Sequence, residues 1–414
     1  MNRIPELLMP VGSPKVLPIA LRYGADAVYL GSSALSLRAK ADNFSDQELD
    51  EAIRLTHACG KKLYLAINIF AHEADLDDAR DLLKNLAGKN DRPDAFIVSD
   101  PGVFLLIREC CPSVPVHIST QANTTNSAAF RFWYEQGVRR IVCARELSLE
   151  ELRRIRQAIP SDMEMEAFVH GSLCMSYSGR CLISNYLTGR DANRGSCTQP
   201  CRWNYYLMEE SRPGVYMPIE ESERGTYLYN SRDLCMIQYL PQLLQAGISS
   251  LKVEGRMKNE LYVAGICRAY RKALDALAES EEAYRAVLPW CEAEVLKVTT
   301  RDYCTGFYFG QPGPEAQNFE SSAYRQDYRF LGIVREDEKG FYILQKNKFA
   351  AGRPIEAICP DGTDIPLIVE AFISEEGVFM DSCPHPGQKL YLKTSAPLQE
   401  YDILREENSD HETI

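Results

Sequence analysis

Five cysteines stand close together in one part of the chain: Cys174, Cys181, Cys197, Cys201 and Cys235. Four fall within HGSLCMSYSGRCLISNYLTGRDANRGSCTQPCRW, residues 170–203, and the fifth follows in NSRDLC. Thiolates gathered in this way suit a soft metal. Zinc prefers paired knuckles, and only Cys197-x3-Cys201 has that form. An iron–sulfur cluster takes four thiolates and tolerates irregular spacing, which would leave one of the five spare. A third chemistry is a cysteine nucleophile activated by His170. It stands four positions ahead of Cys174, one turn away if the segment is helical. The bland alternative is a set of unrelated cysteines in a buried insertion.

Length and composition narrow these readings. The chain has 414 residues, enough for two domains or one large barrel with an appendage. The opening MNRIPELLMPVGS lacks the apolar core of a signal peptide, and no apolar run approaches a membrane helix. The expectation is a cytoplasmic protein with no membrane partner. In a reducing compartment the fourteen cysteines should be thiols, so a cluster of them reads as metal or catalysis before disulfides. Cys59, Cys143 and Cys267 sit in apolar patterns and read as small hydrophobes. The net charge of −12 argues against a generally adhesive nucleic-acid binder. The charge is uneven, however. Residues 252–272 hold six basic residues against two acidic, and the cysteine motif carries Arg180, Arg190, Arg194 and Arg202. These form either a local basic surface or solvated helix faces.

The elements that must position the cysteines follow from periodicity. Short apolar runs at 6–11, 27–30, 62–68, 95–99, 116–119, 140–143, 163–169 and 249–254 read as strands. Helical patterns fill the gaps at 15–23, 46–57, 76–86, 102–109, 127–136, 148–157, 233–245 and 260–278. Eight strands, each followed by a helix, predict an α/β fold of (β/α)8 TIM-barrel type. The gap after strand seven is anomalously long and holds the cysteine motif. An insertion there lies at the C-terminal face, where barrels keep their chemistry. Ser13, Asn68, Asp100, Gln121, Asn123, Arg145, Glu146, His170, Glu254 and Arg256 all fall at or just past strand ends and would converge on one mouth. Ser13 and Asp100, just before helices, read as N-caps.

After residue 298 the texture changes to short strands and turns. The expected organisation is a barrel catalytic domain over 1–298 with the Cys-rich insertion at 170–235. A linker follows at 299–325, then a small C-terminal all-β domain at 326–406 and a frayed tail at 407–414.

At these residues the chain resembles the collagenase-like peptidase family. The signature is the cysteine motif itself, with LLMPVGS at 7–13, YLGSSALSLRA at 29–39, NIFAH at 68–72, STQAN at 119–123, NSRDLC at 230–235 and KVEGRMK at 252–258. The resemblance continues into the C-terminal domain at YRFLGIV and LQKNKFAAG. It implies an oxygen-independent hydroxylase carrying a [4Fe–4S] cluster. A barrel plus one small β-domain is similar to the branch that hydroxylates the wobble uridine of transfer RNA with prephenate as hydroxyl donor. The implied cluster ligands are Cys174, Cys181, Cys197 and Cys235, with Cys201 as the spare or a substitute. Some relatives are described as collagen-degrading proteases, which keeps a protease and a metal-stapled RNA- or protein-binding module as alternatives.

The implied reaction assigns further candidates. Prephenate carries two carboxylates, for which Arg38, Arg145 and Arg256 are the candidate forks. Glu254 and His170 could move protons, although Glu254 also reads as an ion-pair partner for Lys252 or Arg256. The expected partner is a transfer-RNA anticodon loop, where the target base is already single-stranded. A homodimer or a paralogous family member is a further partner. Tyr177, Tyr186 and Trp203 read as the insertion's own small core or as stacking rings.

Overall fold

The structure is a computed structural model that describes residues 4–31, 44–174, 177, 181–190, 197–203, 206–207, 217–218, 232–312 and 325–408. In chain order come β1 (Glu6–Pro10), α1 (Leu17–Arg22), β2 (Ala27–Gly31), α2 (Asp46–Ala58), β3 (Lys62–Ile67), α3 (Glu73–Ala87), β4 (Ala95–Val98) and α4 (Pro101–Cys110). Then follow β5 (Val116–Ile118), α5 (Ser127–Glu135), β6 (Arg140–Val142), α6 (Leu149–Ala158) and β7 (Glu164–Ser172). The insertion contributes α7 (Ile183–Thr188), a short pair β8 (Tyr206–Leu207) and β9 (Met217–Pro218), and β10 (Asp233–Cys235). After it come α8 (Leu240–Gln245), β11 (Ser250–Val253), α9 (Glu260–Glu279), α10 (Glu281–Leu296) and β12 (Tyr303–Cys304).

β1 to β7 pair in sequence order, all parallel, and β11 pairs with both β7 and β1. The sheet therefore closes into an eight-stranded parallel barrel, with every expected strand present. Asp100 caps α4 as expected, its side chain accepting from the Gly102 and Val103 amides. Ser13 does not cap α1, whose N-cap is Val16 with no side-chain bond. Ser45 and Ser148 start α2 and α6 through reciprocal bonds with Glu48 and Glu151. Cys143 and Cys267 are buried as expected, whereas Cys59 ends α2 and is exposed.

One expected helix divides. Residues 233–235 are not helical; as β10 they pair antiparallel with the far end of β7, and β12 pairs parallel with β10. β7 runs nine residues, to Ser172, leaving an edge that β10 covers. The helix begins only at Leu240, with Pro241 in its first turn. Residues 303–304, expected within the linker, thus extend the barrel sheet.

The chain divides into two compact units, one made of 1–14, 26–257 and 301–323 and the other of 15–25, 258–300 and 324–414. Within the second, ten strands follow α1, α9 and α10: β13 (Tyr328–Asp337), β14 (Gly340–Gln345), β15 (Phe349–Ala350), β16 (Pro354–Ile358), β17 (Asp364–Ile368), β18 (Ala371–Ile373), β19 (Phe379–Met380), β20 (Ser382–Cys383), β21 (Lys389–Lys393) and β22 (Ile403–Glu407). Eight of them form an antiparallel sheet in the order β17-β16-β22-β13-β14-β21-β18-β19, over a core that includes Leu331, Ile343, Phe372 and Leu404. β22 lies inside this sheet between β16 and β13, and Glu406 and Glu407 belong to it rather than to a frayed tail. Arg268 and Arg405 are fully buried around Glu294, at 2.9 and 2.8 Å. Asp364 also pairs with Arg268, and Glu356 with Arg405.

Candidate functional site

The barrel mouth is built at the ends of β7 and β11. Their register shifts between Lys252 and Val253, so that Val253 pairs with His170. The Glu254 amide then donates to the His170 carbonyl at 2.9 Å. This close approach requires Gly171, whose φ is +101° and whose missing Cβ would lie 2.4 Å from the Glu254 carbonyl oxygen. Gly12 does the same for Arg256, whose carbonyl oxygen would lie 1.8 Å from a Cβ. Arg256 and His170 are both buried. Arg145, just past β6, donates to the Ser172 carbonyl at 2.9 Å and stands 4.9 Å from the Phe168 ring centroid. His170, Glu254, Arg145 and Arg256 thus lie at the C-terminal ends of three neighbouring strands. Arg38 lies outside the described residues.

β10 sets Cys235 directly opposite His170 in the antiparallel ladder. β12 then brings in Tyr303, whose phenol oxygen lies 3.2 Å from His170 Nε2, the two rings meeting edge to face at 5.0 Å. The sequence signal for Tyr303 was weak, because it stands in a stretch that reads as a linker.

His170 lies in an extended strand, so Cys174 is not one helical turn away from it. β7 carries the chain in strand form from His170 to Ser172, and no helical turn joins His170 to Cys174. The strand removes the geometric basis for a His170–Cys174 catalytic pair. No disulfide joins any of the fourteen cysteines. Cys174 is exposed, Cys181, Cys197, Cys201 and Cys235 are half-buried, and the Gln199 amide donates to Cys197 Sγ at 3.3 Å. In kind, five accessible soft donors fit a thiolate-held iron–sulfur cluster. Among the described residues, no three Cys, His, Asp or Glu side chains are gathered where they could hold a metal. No reaction step therefore follows from a cluster at these positions.

A family model for peptidase family U32 matches residues 12–318, and one for the U32 C-terminal domain matches residues 326–405. The chain belongs to peptidase family U32. This U32 chain is 37% identical over 404 residues to tRNA hydroxylation protein P1 of Bacillus subtilis, covering 97% of this chain and 94% of that one. It is 37% identical over 451 residues to tRNA hydroxylation protein P of Escherichia coli, covering 99% and 98%. It is also 32% identical over 332 residues to a collagenase of Porphyromonas gingivalis, covering 78% of each.

Below the mouth, the U32 barrel is filled by charge. Arg140 on β6 reaches Glu6 on β1, Glu164 and Glu166 on β7, and the Tyr64 phenol on β3. Since β6 neighbours neither β1 nor β3, the bonds to Glu6 and Tyr64 cross the lumen. Tyr64 in turn donates to Glu6 at 2.8 Å. Lys252 donates to Glu166 at 2.8 Å, and its ammonium lies 4.4 Å from the Tyr29 ring centroid. Lys252 thus pairs with Glu166, not with Glu254 as one reading of the sequence had it. Burial works against the Arg140 charge, but Glu166 and Glu6 outweigh it and hold the guanidinium more firmly charged than usual. Burial, then Glu6, pushes the Tyr64 phenol far up. His117, buried 4.7 Å from the Tyr64 ring, is driven well below the ordinary histidine range by burial and then by Arg140 and Lys252.

Three aromatic residues in the insertion of this U32 chain stand open to solvent. Tyr186 is 89% exposed, Tyr177 53% and Trp203 45%, with Leu182 at 70%. α7 is anchored instead by the buried Ser184, which accepts from the Thr198 amide at 3.0 Å and donates to the Arg190 carbonyl at 2.7 Å. Tyr186 and Leu182, four residues apart, share the outward face of α7. For these three rings the expectation of a small aromatic core is corrected, since none of them is buried. Among the described residues, no helix is long and apolar enough to cross a membrane.

Proposed function

We propose that this U32 chain is an RNA hydroxylase acting on the wobble uridine of transfer RNA at its fifth carbon. The observation that carries the reading is the match to two tRNA hydroxylation proteins across 97–99% of the chain, spanning both compact units. The mouth supports it. A histidine, a glutamate and two arginines lie at adjoining strand ends, beside an insertion with the exposed rings of Tyr177, Tyr186 and Trp203 and a sequence rich in arginine.

In this reading Arg145 and Arg256, with Arg38, meet the two carboxylates of prephenate, for which a planar guanidinium is the matched fork. His170 and Glu254 hold and move protons at the reacting ring. Burial of His170 keeps water from its imidazole. Cys174, Cys181, Cys197 and Cys235, with Cys201 as substitute, would hold a [4Fe–4S] cluster. When bound, it would supply one-electron chemistry that no side chain offers. The exposed Tyr177, Tyr186 and Trp203 give bases of an anticodon loop flat faces to stack on.

Two measurements test this. Protein purified without air should be brown, with about four irons and four sulfides per chain. A colourless, zinc-loaded protein that retains activity refutes the cluster. Transfer RNA from a deletion strain should lack 5-hydroxyuridine derivatives by nucleoside mass spectrometry, and the plasmid-borne gene should restore them. Normal levels in a strain lacking this gene and any second family member refute the substrate. Loss of collagen hydrolysis in the same strain, with transfer RNA unchanged, would favour the protease reading instead.

A further inference from the structure

The arc of the mouth from β3 to β6 carries an unexplained set of polar groups. Asn68 Oδ1, Gln121 Oε1, Thr124 Oγ1 and Glu146 Oε2 are all buried with no hydrogen-bond partner in the protein. They stand just past β3, β5 and β6, three strands of one arc of the barrel. Orphaned buried polar atoms are few in native proteins and costly to leave unpaired. Several at the ligand end of one barrel need a reason.

Their own loops are otherwise well satisfied. Ser99 Oγ donates to the Asn68 carbonyl at 3.2 Å, and Thr120 Oγ1 donates to the Cys143 carbonyl at 3.1 Å. The Gln121 amide donates to Ser119 Oγ at 3.4 Å. A 3-10 turn over Thr120–Ala122 ends at Asn123 in the left-handed region, with φ 50° and ψ 49°, and Thr124 follows, 2% exposed. The backbone is locked, and the side-chain tips remain for something else. Arg145, beside Glu146, turns its guanidinium to Ser172 on β7. The cations of the mouth, Arg145 and Arg256, therefore stand apart in kind from this group of two amides, a hydroxyl and a carboxylate.

A dianionic donor would not choose such a set. An uncharged ring edge with alternating donors and acceptors would, because amides and hydroxyls can answer both. We propose that Asn68, Gln121 and Thr124 form a pocket for the Watson–Crick edge of the flipped uracil, with Glu146 accepting from its ring N–H. This rests on the RNA-hydroxylase reading and assigns the two halves of the mouth to different substrates: the arginine side to the small anion, the amide side to the neutral base. Unpaired polar groups that await a partner also confer selectivity, since a base lacking the matching groups leaves them buried and unsatisfied.

The test uses the full chain, anaerobically purified, and two RNA hairpins: one with uridine at the target loop position and one with an abasic site there. Thr124→Val and Gln121→Met preserve shape and remove the polar atom. Fluorescence anisotropy should show affinity for the uridine hairpin falling about tenfold in each variant, of the order of one lost hydrogen bond, with the abasic hairpin bound as before. Both variants should melt at or above the wild-type temperature, because each removes an unsatisfied group. Unchanged discrimination between the two hairpins in both variants overturns the pocket while leaving the RNA reading intact. Wild-type protein that binds neither hairpin removes the RNA reading itself, and the pocket with it. Variants that lose both hairpins together with melting temperature show a structural role and also overturn the proposal.

Discussion

The Tyr303 phenol lies 3.2 Å from His170 Nε2, though 133 residues separate the two in sequence. β10 makes this contact by pairing with β7 on one side and β12 on the other. Under the proposed reaction the phenol fixes the imidazole's rotamer and occupies one ring nitrogen. Tyr303→Phe should therefore lower 5-hydroxyuridine formation about fivefold, in line with one neutral hydrogen bond of roughly 1 kcal/mol, while iron content and melting temperature stay at wild-type values. A variant with unchanged turnover would show that the contact is incidental.

The Lys252–Glu166 pair is enclosed, with side chains 4% and 0% exposed. Lys252→Met removes one partner and leaves Glu166 facing Arg140 and Ser250 alone. The expected loss is about 3–5 kcal/mol, read by urea unfolding. Lys252→Met combined with Glu166→Gln should recover most of it, because the cost lies in the stranded charge. A double variant no better than the single would refute that account.

His117 gives the barrel a pH dependence whose sign is definite. Its folded pKa is depressed, so below the unfolded value of about 6.5 the unfolded chain takes up a proton that the folded chain refuses. Stability is full above that pH and falls as pH drops, with a slope approaching about 1.4 kcal/mol per pH unit. Comparing urea midpoints at pH 7.5 and 5.5 should show a larger fall for the wild type than for His117→Gln. Equal slopes would mean that another group carries the effect.

Cysteine labelling separates ligands from bystanders. Burial, with nearby charges, pushes the Cys291 and Cys359 thiols up to about 12, and burial alone does so for Cys383. Maleimide at neutral pH should spare these three and modify the exposed Cys59 and Cys174 first. Protein loaded with iron and sulfide should lose labelling at Cys174, Cys181, Cys197 and Cys235 but keep it at Cys59, and chelation should restore it. Peptide mass spectrometry that finds Cys201 protected and one of the four labelled would reassign the spare.

Tyr186 tests the insertion's outward face. Tyr186→Ala should weaken binding of a single-stranded RNA loop about tenfold, the lower range for one base–aromatic stack, and Tyr186→Phe should bind as wild type. At 89% exposure neither change should disturb the fold. Equal affinity across all three proteins would leave α7 without a part in RNA binding.

The barrel was legible because its signals are local. Each strand is a short apolar run and each helix has its own stop and start, as Asp100 and Ser148 show. The mouth could be located from strand ends alone. What could not be read depended on distant pairing. β10 looks helical from its neighbours and is a strand because β7 overruns the barrel and offers it an edge. Tyr303 sits in a stretch whose composition says linker, and only that same edge recruits it. Lys252 was assigned to charges two residues away, whereas Glu166 is 86 residues distant and faces it across adjoining strands. The exposed rings of the insertion contradict the usual equation of aromatic with core, because a single serine, Ser184, does the anchoring.

The charged filling of the barrel also governs traffic. Arg140, Glu6, Glu166 and Lys252 fill the barrel from within, so under the proposed reaction both substrates can reach the strand ends only from the C-terminal face. A small anion and a flipped base must then share that face. The smaller molecule has to enter ahead of the macromolecule that covers it, and its spent form can escape only after the RNA lets go. Order of arrival and departure would be imposed by four side chains that never touch either substrate.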